Sequence, residues 1–269
     1  MNDQQAFTKL VEALSPWRPQ LVFVGGWAYR LYRLHPNAQA LPYQPVATLD
    51  ADVAFSERER LDGSIKARLI EAGFEQQLTG NHQPPVSKYT LSEDGPAGFY
   101  AEFLTPLTGS GLTRDGVPIA TLRMAGITAQ RLRYLELLLR LPWRVTLGVS
   151  WGAGSPQELR IPNPVSFIVQ KLLIHDGRPR AKQAHDLLYI HDTLELFAEK
   201  LDDLAVLWRN DLRETLHAKW LDDLPRTRER VFGNLTDALR DAAQIPQDRE
   251  LDPERMRAMC FAALREMLA

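Results

Sequence analysis

Apolar positions recur along this chain at two periods, and the switch between them divides the sequence. Residues 4–14 place Phe7, Leu10, Val11 and Leu14 on one helical face, and Ser15-Pro16 ends that helix. The short apolar run Leu21-Val22-Phe23-Val24 predicts a buried strand, closed by Gly25-Gly26. Helix is expected over 27–34, then loop over 35–46, which holds Pro36, Pro42 and Pro45. A second strand is predicted at 48–55. Residues 57–72 predict a helix that turns Leu61, Ile65, Leu69 and Ile70 inward and ends near Gly73. Further strands are expected at 74–78, 87–91 and 99–104. The stretch 106–128, rich in Gly, Thr and Pro, reads as loop.

From about residue 155 the helical period takes over. Leu159-Arg160-Ile161 is either a last strand or a linker, ended by Pro162-Asn163-Pro164. Helices are predicted over 164–176, 181–199, 201–219, 226–243 and 252–268. The expected fold class is α/β (α+β): a mixed sheet with flanking helices over 1–155, followed by a helical domain over 156–269.

Composition narrows the functional classes. Of the 269 residues, 45% are apolar and 25% charged, the mix of a globular protein with a sizeable core. The net charge of −2 supplies no global field for nucleic acid, though a local basic patch is compatible with it. Cys260, the single cysteine, excludes an intrachain disulfide and a Cys-rich zinc site. The polar start MNDQQAFTKL lacks the pattern of a signal peptide, and the apolar cluster 132–141 is interrupted by Arg133, Glu136 and Arg140. A cytoplasmic protein with no membrane span is expected. The six histidines fall in no metal-ligand spacing, and no GxSxG elbow is present.

The most informative segment is Thr48-Leu49-Asp50-Ala51-Asp52-Val53-Ala54-Phe55. Strand alternation puts Leu49, Ala51, Val53 and Phe55 on one face, suited to a core, and Thr48, Asp50, Asp52 and Ala54 on the other. The two aspartates stand about 6.5–7 Å apart along the strand. Like charges at that spacing repel, and a divalent cation would relieve them; the plain alternative is a solvated outer face. Upstream, Gly25-Gly26 joins a strand to a helix, where a backbone without side chains can approach phosphate. An ordinary turn is the alternative, and the absence of GxGxxG removes a dinucleotide-binding reading.

Strand, Gly-Gly, helix, then a strand of the form hDhDh together resemble the nucleotidyltransferase superfamily that includes DNA polymerase β. The pattern is similar to bacterial nucleotidyltransferases related to the AbiEii and MenT toxins. The residues that carry the likeness are Phe23-Val24-Gly25-Gly26, Thr48-Leu49-Asp50-Ala51-Asp52, the acidic strand Phe99-Tyr100-Ala101-Glu102-Phe103-Leu104, and KLLIHDGRPRAKQAHDLLYIHD in the helical half. They cover roughly 20–200. Two departures stand out: a long gap between Gly26 and Asp50, and Glu102 where an aspartate is usual.

The resemblance implies a nucleotidyltransferase-type mixed sheet and transfer of NMP from an NTP to an acceptor that the sequence does not name, tRNA among the candidates, as in a toxin-antitoxin system. It implies Mg²⁺ (or Mn²⁺) held by Asp50, Asp52 and Glu102, with Glu102 alternatively a general base. Gly25, Gly26 and Thr48 would lie at the nucleotide. Lys171 or Lys182 would meet the triphosphate, with Arg178 and Arg180 as further phosphate candidates. Asp186, one turn after Lys182, would hold that lysine through the i,i+4 relation or act on the acceptor; a surface salt bridge is the alternative for that pair. The rival to enzymatic transfer is a non-catalytic nucleotide-binding or interaction module on the same fold. The oligomeric state is not legible.

Overall fold

The computed structural model describes residues 1–91 and 98–269. The chain forms two compact units, one of residues 1–34 with 47–162, the other of residues 35–46 with 163–269.

The first unit opens with α1 (Asp3–Ala13), whose start is fixed by a reciprocal cap: the Asn2 side chain accepts from the Gln5 N–H, and the Gln5 side chain accepts from the Asn2 N–H. There follow β1 (Val22–Val24), α2 (Gly25–Leu31), β2 (Asp50–Ala54), α3 (Ile65–Glu71), β3 (Phe74–Thr79), β4 (Val86–Leu91), β5 (Tyr100–Pro106), β6 (Thr121–Met124), β7 (Ile127–Leu132), α4 (Leu135–Leu138), β8 (Trp143–Leu147) and β9 (Gln157–Ile161). Among the described residues, seven strands make one mixed sheet in the order β1-β2-β5-β4-β3, with β7 joined to β5 and β6 to β7. The pairs β2–β5 and β5–β7 are parallel; the rest are antiparallel. Strands β8 and β9 form a separate antiparallel ribbon.

The core face of the sheet carries Phe23, Ala51, Val53, Tyr89, Ala101 and Phe103, all buried. Buried Phe7 stacks on Trp27, with ring centroids 4.0 Å apart and 9° between planes. Leu49, expected on that core face, is 37% exposed; it precedes the first ladder residue, so the core begins at Ala51. The helix expected over 57–72 is confined to α3. Gly63 takes φ +83, and Ser64 caps the helix by accepting from the Ala67 N–H. The expected loop 106–128 contains β6 and enters β7. These strands join through Ala125 and Gly126, both at positive φ, the two-residue turn that matches hairpin twist.

The second unit is helical: α5 (Pro164–Ile174), α6 (Arg180–Leu196), α7 (Leu201–Leu207), α8 (Ala218–Phe232), α9 (Asp237–Ala243) and α10 (Pro253–Met267). Asn163 caps α5, and Pro164 takes the first helical position, where its missing N–H costs nothing. The helix expected over 201–219 instead passes from α7 into a π-helical turn, Trp208–Leu212. The one expected over 226–243 is split into α8 and α9, the second restarted by the Thr236 cap. Within this unit residues 35–46 are tied to α6: Gln39 and Tyr43 both bond Glu195.

Candidate active site

Strand register assembles the acidic residues. Parallel pairing sets Asp50 opposite Tyr100 and Asp52 opposite Glu102. Antiparallel pairing then sets Thr90 beside Tyr100 and Lys88 beside Glu102. Register partners share a face, so three rows cross the sheet: Asp50, Tyr100 and Thr90; Asp52, Glu102 and Lys88; Ala54 and Leu104. The third row is apolar and joins Val22, Val24, Leu135 and Leu138 in a buried cluster. Helix α4 therefore covers one end of this face, while the two polar rows stay half-buried.

Each neighbour of the acids has a physical consequence. Gly25 has φ +63, and a Cβ placed there would collide with the Asp52 carboxylate. A Cβ on Gly26 would stand 2.9–3.0 Å from the Thr48 side chain. The Gly-Gly pair thus makes room for two side chains around β2. Thr48 in turn donates its hydroxyl to Asp50 Oδ1. The Tyr100 phenol is pushed up to about 12, first by burial and then by the negative charges of Asp50, Glu102 and Asp52. Three carboxylates from two strands therefore act on one phenol. Lys88 Nζ lies 3.2 Å from the centroid of the Tyr100 ring. Neither Lys88 nor Tyr100 stands out in the sequence; alternation alone places Lys88 opposite in face to Tyr89, but only register brings it to Glu102.

The second unit holds a buried ion cluster. Lys171 Nζ donates to Asp186 Oδ1 at 2.5 Å, and Arg178 Nε donates to Asp186 Oδ2 at 3.0 Å. Lys171 is 4% exposed and Asp186 1%. The ammonium also lies between the rings of Phe167 and Tyr189, 4.7 and 4.9 Å from their centroids. Burial would raise the Asp186 pKa, but the charges and hydrogen bonds of Lys171 and Arg178 outweigh it, and the carboxyl titrates below its ordinary value. Lys171, Arg178 and Asp186 are thus brought together. Lys182, which helical spacing pairs with Asp186, lies on an exposed part of α6. The carboxylate meant to hold it is buried, with one oxygen on Lys171 and the other on Arg178, because α5 and the α5–α6 connection meet the inner side of α6. Arg180 bonds Asp241 instead.

His191, Asp192 and Glu195 form a further cluster on α6, with candidate ligand atoms within 4.8 Å of one another. Arg249 donates to Asp192 at 2.5 Å and stacks on Tyr43, whose hydroxyl donates to Glu195. A guanidinium seated on the carboxylate supplies the charge that a cation would otherwise bring, so this network reads as a tie for residues 35–46.

Comparison with known proteins adds to this geometry. The family model described as nucleotidyltransferase matches residues 2–212, a span that begins in the cap of α1 and ends with the π-helical turn. Among solved structures, the chain is similar to MenT4, a nucleotidyltransferase toxin from Mycobacterium tuberculosis H37Rv, at 15% identity, covering 99% of this chain and 92% of that chain with a TM-score of 0.35. No curated protein matches.

Proposed function

Because the chain belongs to the nucleotidyltransferase family, we propose that the half-buried acid face of β2 and β5 is its transfer site, where NMP passes from an NTP to an acceptor. The observation that carries this reading is the register of Asp50 and Asp52 with Tyr100 and Glu102, which gathers three carboxylates on one face of adjacent strands. Oxygen donors of that kind fit a hard divalent cation, and after burial all three carboxylates raise the Tyr100 pKa. Asp50, Asp52 and Glu102 would hold Mg²⁺ (or Mn²⁺). When bound, the cation supplies charge neutralisation for the phosphate oxygens.

The chain's own residues would do the rest. Thr48 orients Asp50 through its hydroxyl. Gly25 keeps the turn clear beside Asp52 and leaves backbone free to approach phosphate. In the reaction the acceptor oxygen bonds the α-phosphorus as the bond to the bridging oxygen breaks, and pyrophosphate leaves with that electron pair. The acceptor's proton passes to a carboxylate of the acid face, with Glu102 assigned that role if it is not fully engaged as a ligand. Positioning and charge account for most of such a transfer. The family match continues through α5 and α6; there Lys171, Arg178 and Asp186 satisfy one another, and of the residues expected to meet phosphate we keep the exposed Lys182.

The test is incubation of the protein with each α-labelled NTP, Mg²⁺ and cell extract. Label entering an RNA, protein or small-molecule fraction supports transfer and identifies the acceptor class. Saturable NTP binding with no label transferred would establish a binding module instead.

A further inference from the structure

We propose that Lys88 is a further catalytic residue of this transfer site: its ammonium, seated on the Tyr100 ring, stabilises the reacting phosphoryl group from the acceptor side. The inference rests on the acid face being the transfer site. Its carrying observation is the second row across the sheet, in which Val24, Asp52, Glu102 and Lys88 stand on four neighbouring strands in register. Val24 leads into the glycine turn, and Lys88 stands about 14 Å away over three strand spacings, with Gln77 of β3 beyond it. The acids lie between.

An in-line displacement puts the entering oxygen and the departing pyrophosphate on opposite sides of the phosphorus. With the glycine turn assigned to the triphosphate, Lys88 falls on the entering side, next to Glu102. Charge there matters, because three carboxylates and a triphosphate leave a negative excess even with two divalent cations. A flexible lysine could be held by solvent alone. This one has its Nζ 3.2 Å from the centre of a half-buried aromatic ring, a cation–π contact that removes much of its freedom. Tyr100 is then a positioning residue, acting through its ring.

Removing a fixed donor of this kind costs on the order of 10²–10³-fold in rate. Lys88→Met keeps the aliphatic stem against the ring and removes the charge. The expected result is a fall of about 10²-fold in NMP transfer, with Mg²⁺–NTP binding, read by isothermal titration, and melting temperature unchanged. Lys88→Arg should recover part of the rate. Tyr100→Leu should lower transfer, and the conservative Tyr100→Phe, which keeps the ring, should recover most of it. A Lys88→Met protein that transfers normally overturns the proposal, and so does one whose loss follows weakened NTP binding or a lowered melting temperature. Wild-type protein that binds no NTP and transfers nothing would instead overturn the assignment of the acid face itself.

Discussion

Two charged clusters in this molecule have opposite designs. On β2 and β5, Asp50, Asp52 and Glu102 carry like charges on half-buried neighbouring strands. Between α5 and α6, Asp186 carries one charge that is almost wholly buried and takes cations on both oxygens. The first arrangement gathers like charges on one sheet face, the charge that the proposed cation would offset. The second is already neutralised by its own side chains, and removing one partner leaves an uncompensated buried charge. Like charges gathered on a half-buried face suit chemistry; a buried charge matched by cations on both oxygens suits holding a fold.

Exchanging a carboxylate for an amide in each cluster should separate the two. Asp52→Asn is expected to lower NMP transfer by on the order of 10³-fold, with a melting temperature close to wild type, because a neutral side chain of the same shape relieves repulsion from Asp50 and Glu102. Asp186→Asn should do the reverse in thermodynamic terms, costing about 3–5 kcal/mol and lowering the melting temperature by roughly 10 °C. Replacing the pair together, Lys171→Met with Asp186→Leu, should recover most of that stability, since no buried charge is then left alone. Asp186→Asn protein that melts normally yet transfers nothing would erase the contrast and move Asp186 into the chemistry.

A smaller effect links backbone to acid. Gly25→Ala must bear a Cβ at positive φ, roughly 1–2 kcal/mol, and must push the Asp52 carboxylate aside. Transfer should fall about tenfold or more while the protein remains folded. A Gly25→Ala variant with full activity would mean that Asp52 does not need its present position.

The sequence made part of this picture legible and hid the rest for physical reasons. Alternation at β2 exposed the Asp50–Asp52 pair, and the switch of period near residue 155 exposed the helical half. Lys88 was hidden because a lysine on the polar face of a strand is ordinary until pairing brings it to Glu102. The hairpin of β6 and β7 was missed because Ala125-Gly126 occupies a turn that Asn-Gly usually announces. The i,i+4 spacing of Lys182 and Asp186 gave a local partner, whereas the pairing in the structure is between helices. Buried ion pairs are tertiary facts, and spacing along one helix carries no information about a neighbouring helix fifteen residues away.

The smallest expected effect is also the most specific to the ion cluster. Asp186 titrates below its ordinary value in the folded protein because Lys171 and Arg178 outweigh its burial. Unfolded, it returns to about 3.9. Above that value both states are ionised, so the cluster contributes its full stabilisation and the contribution does not vary with pH. As pH falls below about 3.9 the unfolded chain takes up the proton first, and stability drains until the pH passes the lower folded value. Urea midpoints measured from pH 6 down to pH 2.5 should therefore drop more steeply for wild type than for the Lys171→Met, Asp186→Leu protein. The two curves should run together above about pH 5. Other carboxylates titrate in the same window, but they are common to both proteins and cancel in the difference. Parallel curves across the whole range would mean that Asp186 keeps an ordinary pKa, and that the buried cluster binds no more tightly to the ionised form than water does.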